Sequence, residues 1–412
     1  MPEYLSPGVY VEEAQPSARP IAGVGTSTAG FIGVVPDDVT MPLLPGRTGE
    51  KADGTPEPDD FYKVVDAGKP QLITSWEQFK NKFGDFQKQK TGTGGWGNSD
   101  YTAYLQIQHA IYGFFNNGGT RCWILRVKQA TDLADLTDDL KKFEPIDEIA
   151  IVAVPGVTTK PQQDAIIDHC ENMLDRVAIL DGTQKPAKLT VDDIKGGTPT
   201  APTKDSKYAA LYFPWINVFD PISKENIPQP PSGHIAGVYA RVDGERGVHK
   251  APANEIVRGA ADLDTGISRL DQNGLNPKGI NVIRAFNGNF KIWGGRTLGG
   301  DDNGDFRYIS TRRFFNFLRE SIDEGTQWVV FEPNSPALWQ RIKRTVSDFL
   351  LRQWRDGALF GETPERAFFV KCDEDTNPAE VREVGQVVTE IGVAIVKPAE
   401  FVIFRIQQTT GG

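Results

Sequence analysis

Two short segments at the extreme ends of this chain are rich in β-branched and aromatic residues, 4–13 (YLSPGVYVEE) and 398–406 (PAEFVIFRI). This composition, interrupted by Pro or Gly, predicts an extended strand at each end. Residues 14–20 contain two prolines and follow the first strand as a stiff, extended arm. Chain ends are normally polar and frayed unless something holds them. A strand on an arm is suited to completing a neighbour's sheet, so these ends predict a polymer.

Between these ends, the order of predicted elements indicates an α/β fold. Strands are predicted at 26–35, 122–127, 149–154 and 176–180, and helices at 76–84, 101–115 and 162–174. The run 149–180 has strand–helix–strand order, and such a crossover joins parallel neighbours in one sheet. The polar stretches 36–60 and 183–206, which contain Pro and Gly, are predicted to be exposed loops.

The C-terminal third has the clearest periodicity and predicts an α+β part. Helices are predicted over 311–324 and from Pro336 to Gly357, and strands over 327–331, 367–372 and 387–396. Ser335 or Asn334 is suited to cap the second helix, with Pro336 in its first turn. We expect the sheet of this part to accept further strands at its edge. The fold class is therefore α/β and α+β, with mixed-sheet core domains.

Composition excludes several classes of protein. The 412-residue chain has a net charge of −10, which argues against binding nucleic acid or an anionic membrane. No apolar run reaches the roughly 18 residues of a membrane span, and the N-terminus lacks the pattern of a secretory signal. Cys122, Cys170 and Cys372 are an odd number without metal-ligand spacing, which predicts a reduced, cytoplasmic setting for folding.

Enzymatic motifs are weak. Gly23 to Thr28 approaches the dinucleotide-binding pattern, but Thr28 stands where Gly or Ala is required. Asp301 to Asp305 resembles the start of a calcium loop, yet Phe306 and Arg312 occupy the positions that need Gly and Glu. The phosphate-binding pattern ending in Gly-Lys-Ser/Thr is absent. We therefore predict no catalytic residue, no metal site and no cofactor.

The four histidines do not predict a metal or catalytic site either. His169 and the adjacent Cys170 cannot converge on one ligand from a helix, so a core cysteine beside a partly exposed histidine is expected. His109 has no nearby ligand partner in the sequence. His234 and His249 flank a charged segment that lacks a nucleophile motif, which favours polar packing between subunits.

The N-terminal segment Ser6 to Glu13 resembles the signature of contractile tail sheath proteins. These proteins form the sheaths of contractile-tailed phages, R-type pyocins and extracellular contractile injection systems. Further similarity follows in order along nearly the whole chain, at 23–33, 118–127, 208–215, 231–239, 279–284, 293–298, 307–334, 338–373 and 397–406. The compact length resembles pyocin and injection-system sheaths more than large phage sheaths.

The resemblance implies a structural subunit rather than an enzyme. It would polymerise helically, as six-subunit rings, around an inner tube and contract to drive the tube through a target envelope. Implied partners are the chain itself, the tube, baseplate and terminal cap proteins, without nucleic acid or direct membrane insertion. The particle would assemble in the bacterial cytoplasm. The implied domains are a linker arm at 1–20, an outer domain at 21–300, an inner domain at 301–397 and a donated strand and tail at 398–412.

Two sets of site residues follow from this resemblance. The residues expected to exchange strands between subunits are Val9, Tyr10, Val11, Phe401, Ile403 and Phe404. The residues expected to face the tube are Arg341, Lys343, Arg344, Arg352 and Arg355, although a solvated face paired with neighbouring subunits explains their charge equally well. Moving joints are expected at 15–20 and 396–398.

The alternative is a soluble α/β enzyme that depends on a nucleotide. It is suggested only by the strand–helix–strand run at 149–180, and fold alone does not establish function.

Overall fold

Strands and helices alternate along most of the chain. The computed structural model describes residues 20–51, 55–92, 95–196 and 202–405. Their strands are β1 (Ala29–Val34), β2 (Gln71–Ile73), β3 (Cys122–Val127), β4 (Ile151–Ala153), β5 (Val177–Asp181), β6 (Ala209–Phe213), β7 (Ile216–Phe219), β8 (Asn226–Gln229), β9 (Ala260–Leu263), β10 (Ile280–Phe286), β11 (Asn289–Ile292), β12 (Phe368–Lys371) and β13 (Glu390–Val393). Their α-helices are α1 (Trp76–Phe83), α2 (Asn98–Asn116), α3 (Thr137–Lys141), α4 (Lys160–Met173), α5 (Val191–Ile194), α6 (Ser232–Arg246), α7 (Arg269–Leu275), α8 (Ile309–Thr326), α9 (Pro336–Arg355), α10 (Pro364–Ala367) and α11 (Ala379–Glu383).

The described residues form two compact units. The small unit comprises residues 20–23 and Ser321–Ile395, and the large unit comprises Val24–Glu320 and 396–405. The expected outer and inner domains, 21–300 and 301–397, are defined by positions in an assembly, so they stay a prediction.

A mixed sheet forms the centre of the large unit. Within the described chain it has eight strands, in the order β11-β10-β6-β5-β4-β1-β3-β2. The six inner strands run parallel, whereas β11 and β2 are antiparallel to their neighbours. The predicted β4–α4–β5 crossover and the mixed α/β fold are confirmed. Strands β8, β7 and β9 form a separate antiparallel sheet.

Both faces of the large sheet are buried, as parallel sheets require. Phe31 of β1 packs on one face with Phe79 of α1 and Ile107 of α2. The next residue along β1, Ile32, lies in the core of the opposite face together with Ile166 of α4. This alternation follows from the two-residue period of a strand.

Helices α2 and α6 cross closely because glycines remove side chains from their contact. A Cβ atom on Gly233 would lie 2.4 Å from Ala110 Cα, and one on Gly237 would lie 2.4 Å from Phe114 O. Real Cβ atoms do not approach backbone so closely, so no other residue fits without moving a helix. The two glycines are four residues apart and therefore share one helix face.

The small unit is built on the amphipathic helix α9. The N-cap of this helix is Ser335, whose Oγ accepts a hydrogen bond from Leu338 N, as predicted. Leu338, Ile342, Val346 and Phe349 are buried along one face of the helix. Strand β12 packs beside α9 and pairs with β13.

Three sequence predictions about local structure are wrong. The pattern at 327–331 predicts a strand, but Gln327–Val329 is a 3-10 helix that continues from α8. Trp328 Nε1 donates a hydrogen bond to Gly325 O, one of the carbonyls that the end of α8 leaves without a helical partner. The chain therefore stays helical beyond Gly325 instead of becoming extended. The long strand predicted at 387–396 is only Glu390–Val393, because β12 offers just four residues for pairing.

The third wrong prediction concerns the loop at 183–206. Its described part contains α5, and Ile194 and Thr203 are buried rather than exposed. Thr203 Oγ1 donates to Gln163 Oε1 at 2.7 Å, which ties this segment to α4. The stretch 36–60 is mostly exposed in its described residues, as expected.

The histidines are more buried than predicted. His169 is only 6% exposed, so it is not the partly exposed neighbour of a core cysteine. His234 is 3% exposed and packs against Gly113 between α6 and α2, so its packing lies within the subunit and not between subunits. His109 Nε2 lies 3.5 Å from Asp220 Oδ1, and both side chains are buried.

The close contact of α2 and α6 generates a paired prediction. Gly237→Ala should lower the free energy of unfolding by about 1–3 kcal/mol because the new methyl group overlaps Phe114 O. Gly244 lies on the same helix with no atom within 4 Å of an added Cβ, so Gly244→Ala should raise stability by up to about 1 kcal/mol. Urea unfolding of dispersed subunits measures both, and equal effects would contradict the close crossing.

The buried histidines generate a prediction about pH. Burial lowers the pKa of His109 to about 4 and the pKa of His234 to about 3, below the ordinary value of 6.5. Because the folded pKa is depressed, protons bind the unfolded chain preferentially, so stability is full above pH 6.5 and falls as the pH drops towards these folded values. His234→Gln should therefore reduce, by about 1 kcal/mol, the stability lost between pH about 7 and about 5.5. If urea unfolding of the His234→Gln variant shows the same pH dependence as that of the parent, the prediction is wrong.

Candidate functional site

The sheet of the small unit is open at its edges. Strands β12 and β13 pair with each other and with no further strand among residues 20–51, 55–92, 95–196 and 202–405. Ala394 N donates to Ala367 O, and hydrogen-bonded pairs alternate along an antiparallel ladder. The backbone groups of Ile391 and Val393 therefore point to the outer edge of β13. A sheet of two strands is marginal by itself and gains stability from additional strands.

The C-terminal segment of the large unit exposes consecutive apolar side chains. Phe401 to Phe404 are 71%, 69%, 77% and 84% exposed, and no strand is formed by the described residues 396–405. Exposed apolar runs of this kind are unusual on protein surfaces and are typical of interaction sites. The predicted exchange residues Phe401, Ile403 and Phe404 are thus accessible, whereas Val9, Tyr10 and Val11 lie outside the described residues.

The residue immediately before this run is firmly held. Glu400 accepts hydrogen bonds from the Arg296 guanidinium, with Nε at 2.9 Å from Oε1 and Nη2 at 2.8 Å from Oε2. It also accepts from Asn276 Nδ2 at 2.7 Å and Tyr308 OH at 3.0 Å. Burial alone favours the protonated acid, but the Arg296 and Asn276 hydrogen bonds hold the pKa of Glu400 below its usual range. Sequence reasoning missed this pairing because Arg296 and Glu400 are 104 residues apart.

Helix α9 carries a basic stripe on its exposed face. We use this name for Arg341, Arg344, Arg352 and Arg355, whose spacing of three, eight and three residues places them on one side of the helix. Lys343 is two residues from Arg341, about 200° around the helix, and lies outside the stripe. The structure thus brings together four of the five residues predicted to face the tube.

Two of the stripe arginines are engaged within the small unit. Arg341 Cζ lies over the Trp328 ring, 4.4 Å from its centroid, and Arg341 Nη1 lies 3.8 Å from Glu332 Oε2. Arg352 Nη2 donates to Ile21 O at 2.7 Å. Neither Arg344 nor Arg355 forms an ion pair with any residue that the structure describes. Asp348 lies within the stripe and reduces its net charge.

Further exposed aromatic side chains of the small unit were not identified from sequence. Phe331 is fully exposed and adopts a φ of +67°, a strained conformation for a bulky residue. Phe360 and Phe369 are 74% and 57% exposed. The assignment of Phe331 to a strand concealed this signal, because a strand residue is expected to have one buried side.

At the carboxyl edge of the parallel sheet, where α/β enzymes bind ligands, the buried carboxylate of Asp181 is engaged by the protein's own groups. Asp181 at the end of β5 accepts hydrogen bonds from Ser232 N at 2.8 Å, Ser232 Oγ at 2.7 Å and Gly156 N at 3.0 Å. Burial raises the pKa of Asp181 to about 6, and these hydrogen bonds oppose the shift. This carboxylate therefore holds the first residue of α6 by hydrogen bonds.

Metal-binding clusters and membrane spans are both missing from the part of the chain that the structure describes. Within the described ranges, no group of three or more His, Cys, Asp or Glu side chains is arranged to hold a metal ion. Among those same residues, no helix has the length and apolarity needed to cross a bilayer.

Comparison with known proteins identifies the family. Residues 129–298 match the family model of the phage tail sheath protein central domain, and residues 301–409 match that of the phage tail sheath C-terminal domain.

Three similar solved structures cover almost the whole chain. A chain from the baseplate of the anti-feeding prophage is 30% identical, with a TM-score of 0.72 over 99% of this chain and 100% of that one. A chain from the contracted helical sheath of the same particle is 29% identical, with a TM-score of 0.71 over 98% and 99%. A chain from the contracted PVC sheath complex, an extracellular contractile injection system, is 25% identical, with a TM-score of 0.74 over 99% of each.

The ordered sequence similarity predicted this relationship, and the fold and both family models confirm it. The chain belongs to the phage tail sheath protein family and is a structural subunit of a contractile sheath.

Proposed function

We propose that this subunit polymerises around an inner tube and that contraction of the polymer drives the tube through a target cell envelope. The observation that carries the proposal is the open β12–β13 sheet, in a chain whose apolar C-terminal segment pairs with no strand of its own described residues. An open sheet edge and an unpaired apolar segment in one chain are suited to form an intermolecular sheet together.

In this proposal the two chain ends complete the sheets of neighbouring subunits. Val9, Tyr10 and Val11 supply one strand, and Phe401, Ile403 and Phe404 supply the other. Four or five net hydrogen bonds at roughly 1 kcal/mol each would contribute several kcal/mol per junction. Burial of the exposed Phe401 and Phe404 rings adds about 2 kcal/mol for each ring. These links keep subunits connected while their compact units move.

Helical growth follows from head-to-tail contacts. Such a contact produces an open helix when its rotation does not close a ring. Six-subunit rings stacked in this way would form the sheath, with tube, baseplate and terminal cap proteins as partners. Assembly in the bacterial cytoplasm, within a phage tail-like particle, belongs to the same proposal. So does the arrangement of an outer domain at 21–300 around an inner domain at 301–397.

Contraction in this proposal uses energy stored at assembly. The extended polymer holds the same subunits in a less favourable arrangement, and better burial and pairing in the contracted polymer releases the work. The described ranges contain no metal-binding cluster, and the sequence contains no phosphate-binding motif. Neither therefore indicates a chemical fuel. The alternative of a nucleotide-dependent enzyme finds no support in the family or in Asp181, whose carboxylate is engaged by Ser232 and Gly156.

The basic stripe of α9 is the proposed tube-facing surface. Exposed ion pairs are individually weak and are screened by salt, which suits a contact that must break during contraction. Arg344 and Arg355 carry this proposal, since neither is engaged by a described carboxylate.

The proposed N-terminal strand is tested by removing it. A subunit lacking residues 1–19 should fold but form no long sheaths, because each junction loses one donated strand. The double variant Val9→Pro/Val11→Pro should have the same effect at full length, since proline cannot donate to a ladder. Ala14→Pro, beyond the strand, serves as the matched control. Electron microscopy measures sheath length, and normal polymers from the truncated chain would refute the donated strand.

The tube-facing stripe is tested by reversing its charge. Arg344→Glu/Arg355→Glu should reduce the amount of sheath that co-sediments with tube at low salt, while tube-free polymers form normally. Lys343→Glu, on the same helix but outside the stripe, is the matched control and should co-assemble like the parent. Equal co-assembly of the stripe variant and the control would count against this surface.

A further inference from the structure

The C-terminal segment changes character abruptly at one residue. The Glu400 side chain is only 19% exposed. Phe401 is 71% exposed, and each of the next three residues is at least 69% exposed. Before Glu400, Lys397 lies 3.1 Å from Asp305, but both side chains are largely exposed and such a pair contributes little. Glu400 is therefore the last strongly held residue of the described segment.

The surface that receives Glu400 is itself rigid. The Arg296 side chain is 4% exposed, and the backbone of this residue is clamped by the side chain of Asn281 in β10 through two hydrogen bonds, at 2.7 and 2.8 Å. Arg296 Nη1 also donates to Asn276 O at 3.2 Å and to Asp301 Oδ1 at 3.0 Å. The guanidinium is thus oriented before Glu400 binds, so the carboxylate loses little entropy in finding it.

We propose that Glu400 is the positioning residue of the C-terminal arm, fixing the point and register at which the segment from Phe401 onward leaves the subunit. A strand whose register slips by one residue turns every side chain to the opposite face. With Glu400 fixed, Phe401 and Ile403 face one side and Val402 and Phe404 face the other. This inference rests on the proposed function only for the claim that the arm reaches a neighbouring subunit. The attachment of Glu400 within its own subunit does not depend on that function.

The attachment moves the C-terminal joint from the expected 396–398 to Phe401. Lys397 and Glu400 both contact the large unit, so residues 396–400 follow that unit. In this proposal the arm begins at Phe401, which shortens it by several residues and gives it a defined direction. A short arm transmits displacement between subunits with less slack than one that starts at residue 396.

The attachment is tested on full-length, dispersed subunits, independently of assembly. Glu400→Gln keeps the shape of the side chain but removes its charge and presents an amide to four donors. Chymotrypsin cleavage after Phe401 should become at least about tenfold faster, as expected for losing hydrogen bonds to a charged group. Tyr308→Phe removes one of the four donors and should give a smaller increase. Lys397→Gln, on the same segment, is the matched control and should leave the cleavage rate unchanged.

A second readout, the fraction of subunits in long sheaths, tests positioning. Glu400→Gln should reduce that fraction, while Lys397→Gln should not. A cleavage rate equal to that of the parent overturns the attachment. The positioning role is overturned if Glu400→Gln is cleaved faster but still forms normal sheaths, while deletion of residues 401–412 abolishes sheaths. Normal sheaths from that deletion instead refute the donated C-terminal strand, and the cleavage rate alone then supports or overturns the attachment by Glu400.

Discussion

Backbone donors and acceptors at a sheet edge need partners, and this requirement governs the small unit. Four residues of β12 and four of β13 form a sheet that would be marginal without the support of α9. The outward-pointing groups of Ile391 and Val393 have no strand partner among the described residues. A monomer with such an edge is prone to uncontrolled association, whereas in the proposed polymer the same edge is a specific joint.

The large unit provides the rigid part of the subunit. Its sheet is covered on both faces, and α2 and α6 approach so closely that only glycine fits at their contact. A buried ion pair adds to this rigidity: Arg313 Nη1 donates to Asp243 Oδ1 at 2.9 Å, and Thr26 Oγ1 donates to the same carboxylate. A body that resists deformation transmits displacement from one subunit to the next.

The strengths of three kinds of contact in the subunit differ in the way that their proposed roles require. The carboxylate of Glu400 has four donors and little exposure, so it suits a permanent attachment. The exposed arginines of the basic stripe can form only weak, salt-screened contacts with a partner, which suits a surface that must detach. Exposed Phe401 and Phe404 lie between these extremes, because their burial depends on the neighbouring subunit.

The sequence by itself determined the elements that depend on local rules. The start of α1 at Trp76, the bounds of β3, the Ser335–Pro336 start of α9 and the strand–helix–strand crossover all follow from capping and periodicity. The ordered family signature predicted the sheath function. Only the tertiary structure decided the burial of His169 and His234, the 3-10 helix at Gln327–Val329 and the pairing of Glu400 with Arg296. The burial of the histidines and the Glu400–Arg296 pair depend on contacts between residues far apart in the chain, and local propensity carries no information about which distant groups will meet. The 3-10 helix continues α8 with a local hydrogen bond from Trp328, which the strand-like pattern at 327–331 concealed.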